Sequence, residues 1–261
     1  MNNSFVSYID YKLDESTELN ELKVNGLYLG DSFDLMNLIP DNSIDLVLSD
    51  PPFLYISGGC KNRAKNKEIT EKLGGFGEVD VRGMLDRVDK KLKKMNAYFF
   101  CSRLQIPFYL NWCTEHKYKF DVLVWNKDKI DIKTTKTYCN DIEYVIRIYE
   151  SGVNLNKLKE EDGTTKGFHY TKLKTFKCPK NVGHLTPKPV ELLEEYIKLS
   201  SNEGDVILDP FAGSGSLAVA CSHLDRNFIC IEKDFDNFQE STKRVGMLRV
   251  LANSKIEVNA E

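Results

Sequence analysis

Apolar residues along this chain fall into two alternating patterns. Short continuous runs, such as residues 46–48, 97–101 and 206–208, are typical of strands that are buried on both faces. Between the first two runs, apolar residues recur at i, i+3, i+4, i+7 and i+11, which is the spacing of a helix that packs one face on a core. These residues are Val81, Met84, Leu85, Val88 and Leu92.

The same two patterns predict the remaining elements. Strands are expected at 27–29, 44–48, 97–101, 120–125, 143–149, 206–208 and 227–231, and further helices at 104–116, from 189 onward, at 215–223 and at 238–251. A short helical turn capped by Ser32 is expected after the first strand, whereas residues 152–187 show no regular period. Strands alternating with helices favour an α/β fold with a Rossmann-like, doubly wound, mostly parallel sheet covered on both faces.

Composition narrows the class of protein. The 261 residues are 41% hydrophobic and 29% charged, and the formal net charge is −3, which does not fit a uniformly basic nucleic-acid coat protein. The apolar runs are too short to cross a bilayer, and residues 1–12 lack the pattern of a signal peptide. Seven cysteines without a Cys-x-x-Cys pair, with Cys101, Cys221 and Cys230 in apolar segments, indicate buried thiols in a reducing cytoplasm. We therefore expect a cytoplasmic protein that holds no metal.

A glycine-rich turn follows the strand at 206–208. The run Asp209-Pro210-Phe211-Ala212-Gly213-Ser214-Gly215-Ser216 leads from this strand into a helix. About 20 residues later a second strand ends in Glu232, the spacing at which nucleotide-binding βαβ units place an acid on a ribose. The glycines also satisfy the loose dinucleotide pattern G-x-G-x-x-A, but no Lys follows them as in a P-loop.

The charge of Asp209 bears on which ligand this turn would bind. A carboxylate here would repel the pyrophosphate of a dinucleotide, whereas it would attract the sulfonium and ammonium groups of S-adenosylmethionine. The turn therefore favours S-adenosylmethionine over NAD. A purely structural role, with Asp209 capping the turn, is the alternative.

A second candidate motif, Ser49-Asp50-Pro51-Pro52-Phe53, ends the strand at 44–48. Its prolines remove two N–H donors, so that the Asp50 carboxylate and the Pro51 carbonyl can both accept hydrogen bonds from an exocyclic amine. Such bonds favour the positive charge that grows on nitrogen as it attacks a methyl group. Phe53 could stack on a base taken out of the double helix. A simple rigid turn is the alternative interpretation.

Together, Asp50-Pro51-Pro52-Phe53 and the run from Asp209 to Gly215 resemble the motifs of amino-group DNA methyltransferases that use S-adenosylmethionine. The catalytic motif comes first, as in the β-class, a circular permutation of the class I methyltransferase order. The resemblance covers most of residues 27–251 and also includes Gly30-Asp31-Ser32, Trp125-Asn126-Lys127 and the spacing of His184, Lys188, Pro189, Glu191 and Leu192.

The resemblance implies roles for individual residues. The catalytic residues would be Asp50, Pro51, Pro52 and Phe53. The cofactor would be held by Asp31, Asp50, His184, Lys188, Asp209, Phe211, Gly213, Ser214, Gly215, Ser216 and Glu232. Within that set, Asp31 would contact the adenine, His184 and Lys188 would lie near the methionine part, and Glu232 would bind the ribose. Asp at the head of the tetrapeptide, in place of Ser, implies adenine as the target base.

Two departures from the family pattern concern DNA recognition. Asp128 follows Lys127 where the family often has Pro, and the stretch between Asn126 and His184 is short. We expect one methyltransferase domain over 1–261, a short target-recognition region at 128–182 and a mobile loop at 54–77. Sequence specificity could then be modest or shared across a dimer.

Two basic segments without acidic residues are candidates for DNA contact. The candidate residues are Lys61, Arg63, Lys65, Lys166, Lys172, Lys174 and Lys177. An ordinary solvated surface is the alternative for each segment.

The sequence thus predicts a methyltransferase that moves the methyl group of S-adenosylmethionine to N6 of adenine in double-stranded DNA. The open alternatives are N4-cytosine methylation, an NAD-linked oxidoreductase and an inactive DNA-binding module. A homodimer and a restriction endonuclease partner are compatible with the resemblance.

Overall fold

The computed structural model describes residues 22–53, 79–127, 141–158, 164, 174–176 and 187–258, with side chains of the last helix described as far as residue 246. The strands are β1 (Gly26–Leu29), β2 (Leu46–Ser49), β3 (Asn96–Cys101), β4 (Lys119–Lys127), β5 (Ile142–Tyr149), β6 (Lys174–Phe176), β7 (Val206–Asp209) and β8 (Asn227–Glu232). The helices are α1 (Ser32–Leu35), α2 (Val81–Lys91), α3 (Ile106–His116), α4 (Val190–Ser200), α5 (Ser216–His223) and α6 (Phe235–Val258), and a 3₁₀ turn (Met36–Leu38) follows α1.

These eight described strands form one sheet in the order β1-β8-β7-β2-β3-β5-β4-β6. Neighbouring strands are parallel, except that β5 is antiparallel to both β3 and β4. The amino end of β5 therefore lies at the edge where the other described strands have their carboxyl ends. Ligands of open α/β sheets bind outside that edge.

Helices cover both faces of the sheet. Successive side chains of a strand point to opposite faces, and in the central strands the side chains on both faces are apolar. On one face, α2 and α3 contribute Met84, Leu85 and Trp112 to a core that includes Val47 and Phe99 of the sheet. The other core joins α4, α5 and α6 to the sheet, and its members include Leu193, Ile197, Ala218, Phe238, Leu48 and Phe100. Burial on both faces explains the continuous apolar runs of β2, β3 and β7.

The structure confirms the predicted fold class and most of the predicted elements, with small differences at their ends. Asp31, not Ser32, caps α1, because its side chain accepts a hydrogen bond from Phe33 N at 2.9 Å. Pro189 is the residue before α4 and not its first residue. The short strand β6 lies inside the stretch for which no element was predicted, since three residues are too few to display a period.

Two further expectations concern burial and membranes. Cys101, Cys221 and Cys230 are free and buried, as predicted, and so is Cys113. Among the described helices, none has the length and apolar character that crossing a membrane requires.

Candidate functional site

Four acidic side chains lie at the carboxyl ends of four neighbouring strands. Asp31 follows β1, Glu232 ends β8, Asp209 ends β7 and Asp50 follows β2, and these strands are adjacent in the order β1-β8-β7-β2. The two sequence motifs therefore open onto one edge of the sheet. They also touch, because Ser49 Oγ donates a hydrogen bond of 2.6 Å to Asp209 Oδ1 in the interior.

The glycine turn between β7 and α5 depends on two backbone conformations. Gly213 and Gly215 have φ values of +51° and +73°, in the left-handed region that favours glycine. A Cβ atom on Gly215 would lie 2.8 Å from Ser241 Cβ of α6. Ala212 N in this turn also donates a hydrogen bond of 2.8 Å to Ile231 O of β8. As a result, α5 begins close to the edge of the sheet.

Backbone N–H groups hold the carboxylate of Glu232. Gly213 N donates to Oε2 and Asp234 N donates to Oε1, each at 2.7 Å. Burial raises the pKa of Glu232, and these backbone hydrogen bonds oppose that effect. Each carboxylate oxygen has a second lone pair, so Glu232 retains acceptor capacity for a hydroxyl group of a ligand.

At the outer end of this edge, Asp31 is bound by Phe33 N and by the Lys233 ammonium, whose Nζ lies 3.0 Å from Asp31 Oδ2. Burial raises the pKa of Asp31, but the bonds from Lys233 and Phe33 outweigh this, so its pKa is lowered. Asp31 is therefore ionised at neutral pH.

Ser214 and Ser216 turn their hydroxyl groups toward α6. Arg244 Nη1 lies 3.2 Å from both the carbonyl and the hydroxyl oxygen of Ser214, and 3.0 Å from Ser216 Oγ. These hydroxyls therefore stabilise the turn, and the predicted contact of Ser214 and Ser216 with a cofactor would fall to their backbone groups.

The middle of the edge carries negative charge that suits a cationic ligand. No Lys or Arg of the described residues forms an ion pair with Asp209 or Glu232. Burial is the largest cause that raises the pKa of Asp209 to about 7. Hydrogen bonds from Ser49 and Phe211 N oppose the rise, and the negative charges of Asp50 and Glu232 contribute to it. Because a bound cation would relieve this cost and a phosphate would increase it, the residues fit S-adenosylmethionine better than a dinucleotide.

Asp50 belongs to a chain of alternating charges. Its Oδ2 contacts the ammonium of Lys188, which also lies 3.3 Å from Glu143 Oε2, and Glu143 Oε1 in turn lies 2.6 Å from Lys127 Nζ. Lys188 is buried, with 7% of its side chain exposed, against 27% for Asp50. Asp50 Oδ1 is buried and has no hydrogen-bond partner among the described residues.

The charges of Asp50, Lys188 and Glu143 influence one another's ionisation. Burial raises the pKa of Asp50, and the positive charge of Lys188 opposes the rise. For Lys188, burial lowers the pKa but the charges of Asp50 and Glu143 outweigh it, so the pKa is raised. For Glu143, burial raises the pKa but Lys188 and Lys127 outweigh it, so the pKa is lowered. Lys188 and Glu143 are therefore charged at neutral pH.

The rest of the tetrapeptide is held from two sides. Gln105, just before α3, donates from Nε2 to the Pro52 carbonyl at 3.0 Å, and its Oε1 accepts from Ser102 N at 3.0 Å. The half-buried ring of Phe53 packs against the core that contains α4 and lies 5.3 Å from Lys188 Nζ. These contacts fix residues 50–53 and leave Asp50 Oδ1 without a hydrogen-bond partner in the part of the chain that the structure describes.

A family model for DNA methylases of the N6 and N4 type matches residues 44–243, which is more than half of the chain. This chain belongs to the DNA methylase family.

Individual relatives agree with this family membership. The methylase is 27% identical over 233 residues to the Type II methyltransferase M2.DpnII of Streptococcus pneumoniae, covering 82% of this chain and 87% of that relative. Among solved structures, the M1.HpyAVI complex with SAM has a TM-score of 0.64 at 23% identity, covering 84% of this chain and 98% of that one. The PvuII DNA methyltransferase, described as cytosine-N4-specific, has a TM-score of 0.65 at 16% identity and covers 86% of this chain and 87% of its own.

Family membership confirms several predictions at once. The methylase is a DNA methyltransferase, its cofactor is S-adenosylmethionine and its substrate is DNA. The NAD-linked alternative has no support from the family match.

The structure places the predicted catalytic and cofactor residues other than His184 at one edge of the sheet of the methylase, whereas most of the predicted DNA-contact residues, like His184, lie outside the part of the chain that it describes. The latter are His184, Lys61, Arg63, Lys65, Lys166, Lys172 and Lys177. Lys174 lies in β6 at the end of the sheet, paired with Trp125 of β4. The predicted target-recognition region 128–182 includes β5 and β6, and the predicted loop 54–77 also lies outside the described residues.

Several residues of the site were not predicted from the sequence. None of the motifs identified in the sequence includes Glu143, Gln105 or Arg244. Glu143 was expected only as the first residue of a strand. Gln105 could have been noticed as a polar residue just before a helix with Pro107 in its first turn. Nothing in the sequence alone pairs Glu143 with Lys188.

Proposed function

We propose that this methylase transfers a methyl group to the exocyclic N6 amine of adenine in double-stranded DNA. The observation that carries the proposal is Asp50 Oδ1, a buried oxygen that has no partner among the described residues and lies at the edge shared with Asp209. Asp at the head of Asp-Pro-Pro-Phe favours adenine, by resemblance to the family's adenine enzymes. The fold does not separate the two bases, because one similar structure is described as cytosine-N4-specific.

S-adenosylmethionine, when bound, supplies an electrophilic methyl group on a positively charged sulfur. We assign its binding to the side chains of Asp31, Glu232 and Asp209, to the turn at 211–216, and to His184 and Lys188. Asp31 and Glu232 would accept hydrogen bonds from the adenosine part, and the negative charge of Asp209 would favour the cationic part.

Asp50 and Pro51 would prepare the amine. Asp50 Oδ1 and the Pro51 carbonyl can each accept one of its two hydrogens, which draws the nitrogen lone pair out of conjugation with the base ring. The same two acceptors stabilise the positive charge that develops on nitrogen during the transfer. Since the nitrogen is itself the nucleophile, no side chain needs to form a covalent bond with the base.

Phe53 would hold the base from its face. An enzyme that modifies the exocyclic amine must take the base out of the duplex, and an aromatic ring offers a stacking surface for it. Phe53 follows the two prolines and is half-buried, and its ring lies 5.3 Å from the ammonium of Lys188, which contacts the Asp50 carboxylate.

We also propose the finer features that the sequence suggested. The basic residues Lys61, Arg63, Lys65, Lys166, Lys172, Lys174 and Lys177 would contact the phosphate backbone, and parts of 128–182 would read the target sequence. Residues 54–77 would form a mobile loop beside the bound base. The protein would work in the cytoplasm of a bacterial or phage-infected cell, as a homodimer or beside a restriction endonuclease.

The decisive test identifies the modified base. Purified protein is incubated with unmethylated genomic DNA and labelled S-adenosylmethionine, and the digested nucleosides are separated by mass spectrometry. We expect N6-methyladenine. A product of 4-methylcytosine would overturn the adenine assignment, and no methylated base on any DNA would overturn the activity.

Asp50→Ala tests the role of the tetrapeptide. We expect methyl transfer to be lost while S-adenosylhomocysteine still binds. Glu203→Ala is the matched control, because this exposed acid lies in the turn before β7, at the opposite edge of the sheet. Loss of binding and activity together would assign Asp50 to the cofactor pocket or to folding.

A further inference from the structure

The chain of charges behind Asp50 extends beyond the residues that the proposed reaction uses. Lys188 contacts Asp50 Oδ2 and is 7% exposed at its side chain, while Glu143 is 12% exposed. A buried ammonium with a single carboxylate partner would be costly, because removing a charge from water must be offset by close opposite charges and hydrogen bonds. Lys188 has two carboxylate partners, and Lys127 provides the second partner of Glu143.

We infer that Glu143 is a positioning residue for methyl transfer, which acts through Lys188 to hold Asp50 with its Oδ1 turned toward the substrate amine. The inference rests on the proposed function, since it deepens the role of the same site. Glu143 would contact neither the base nor the cofactor, and it would work by anchoring the Lys188 ammonium at 3.3 Å.

The geometry of Lys188 explains why it needs an anchor. Its Nζ lies 5.3 Å and 5.0 Å from the ring centroids of Phe53 and Phe100, so that two aromatic faces help to hold the ammonium. Rings restrain the distance of an ammonium but not its direction. The hydrogen bond to Asp50 Oδ2 and the negative charge of Glu143 Oε2, which lies 3.3 Å from Nζ, supply that direction.

The effect on Asp50 follows from which of its oxygens is occupied. Lys188 occupies Oδ2, while Oδ1 has no hydrogen-bond partner among the described residues. If Lys188 were free to move, the carboxylate could rotate and offer either oxygen to the ammonium or to the amine. Anchoring by Glu143 therefore removes an alternative arrangement in which Oδ1 is turned away from the amine.

Charge balance gives Glu143 a second effect in the same direction. When Asp50 is ionised, the charges of Asp50, Lys188, Glu143 and Lys127 sum to zero. Replacement of Glu143 by Gln leaves two ammonium groups and one carboxylate, a local sum of +1, beside a nitrogen that becomes positive during the transfer. The developing charge would then be less well stabilised in a site of low dielectric.

The test is a double-mutant cycle on the methylation rate, with Glu143→Gln, Lys188→Met and the double variant. We expect Glu143→Gln to lower kcat on the order of 10- to 100-fold, the loss that a small misplacement of reacting groups causes. The binding constant for S-adenosylhomocysteine should stay within about 2-fold of that of the unchanged protein, because Glu143 contacts no cofactor residue except through Lys188. The double variant should be no slower than Lys188→Met, since both changes break one interaction.

Matched variants separate positioning from folding. Glu115→Gln is the control, because Glu115 forms a comparable 2.6 Å pair with Arg82, but on the exposed surface; it should leave kcat unchanged. Glu143→Asp keeps the charge and should recover part of the lost rate. If Glu143→Gln does not fold, Glu143→Gln with Lys127→Met restores the local charge balance, and its kcat is compared with that of Lys127→Met alone.

Three outcomes would overturn the inference. These are an unchanged kcat in Glu143→Gln, independent losses that multiply in the double variant, and a loss of cofactor binding equal to the loss of rate. Failure of the proposed function is distinguishable, because it appears in the unchanged protein as the wrong methylated base or as no methylation. If the base is cytosine, the cycle still decides the role of Glu143 on that substrate.

Discussion

Replacement of Asp209 by Asn should make the methylase more stable at neutral pH while weakening cofactor binding. Asp209 is 6% exposed, and its Oδ1 accepts from Ser49 Oγ at 2.6 Å and from Phe211 N at 3.0 Å. Asn has nearly the same shape and keeps a carbonyl oxygen for both donors. The substitution therefore removes a buried negative charge with little change in packing.

The magnitude follows from the pKa of the carboxyl group. Burial, as the largest cause, raises the pKa of Asp209 from 3.8 to about 7. Because the folded protein binds this proton more tightly than the unfolded chain, ionisation costs stability as the pH rises from about 4 to about 7. At about 1.4 kcal/mol for each unit, the cost reaches roughly 4 kcal/mol above pH 7. Asp209→Asn escapes this cost, so its advantage over the unchanged protein should be absent at pH 4 and largest above pH 7.

The assay is urea denaturation of both proteins between pH 4 and pH 9, with Glu203→Gln as a control acid in an exposed turn. We expect the difference in the free energy of unfolding to grow through that window for Asp209→Asn and to stay flat for the control. Calorimetry should show weaker binding of S-adenosylmethionine, because the cation loses its negative neighbour. Parallel stability curves for Asp209→Asn and the unchanged protein would refute the reasoning, since Asp209 would then ionise equally in both states.

Three further substitutions test the geometry of the site. Gly215→Ala should destabilise the protein by about 1 kcal/mol or more, as measured by urea denaturation, because φ is +73° and the new Cβ would meet Ser241 at 2.8 Å; an unchanged midpoint would contradict this close approach. Gln105→Ala should lower kcat but leave S-adenosylhomocysteine binding intact, because it releases the Pro52 carbonyl that Gln105 holds at 3.0 Å; weaker cofactor binding would contradict that role. Phe53→Ala should lose about 1–3 kcal/mol of base stacking, and unchanged steady-state kinetics on target DNA would show that Phe53 does not stack on the base.

Much of the fold could be predicted because the central strands are buried on both faces. The continuous apolar runs that become β2, β3 and β7, and the helical period that becomes α2, are local patterns that survive in a single sequence. The edge strand β6 could not be found this way. It has three residues, and its place beside β4 comes from tertiary pairing.

The same distinction applies to the candidate site, where some residues could be predicted from the local sequence and others depend on tertiary pairing. Asp50 and Asp209 were predicted to meet because each follows a buried strand, and the carboxyl ends of parallel strands share an edge. Asp31 and Glu232 fit the same rule at β1 and β8. Each of these predictions needed only the local sequence and the direction of its own strand.

Glu143 escaped prediction because the direction of its strand cannot be read from its own residues. In a fully parallel sheet, a residue at the start of a strand would lie at the edge opposite to the site. β5 is antiparallel to β3 and β4, so the start of β5 lies beside the carboxyl ends of its neighbours. The pattern of apolar residues is the same whichever way a strand runs. Periodicity therefore cannot predict that β5 is antiparallel, which is the arrangement that brings Glu143 close to Lys188.

The reversed strand also divides the electrostatics of the edge into two parts. Asp209 and Glu232, toward β8, form no ion pair with a cation of the described residues, which suits a ligand that brings its own positive charge. Toward β5, Lys188 and Glu143 balance each other behind Asp50. The amine is uncharged before the transfer, and it needs an acceptor with a fixed direction. The two parts of one edge can thus serve a cation and an uncharged base because β5 places one additional carboxylate behind the catalytic loop.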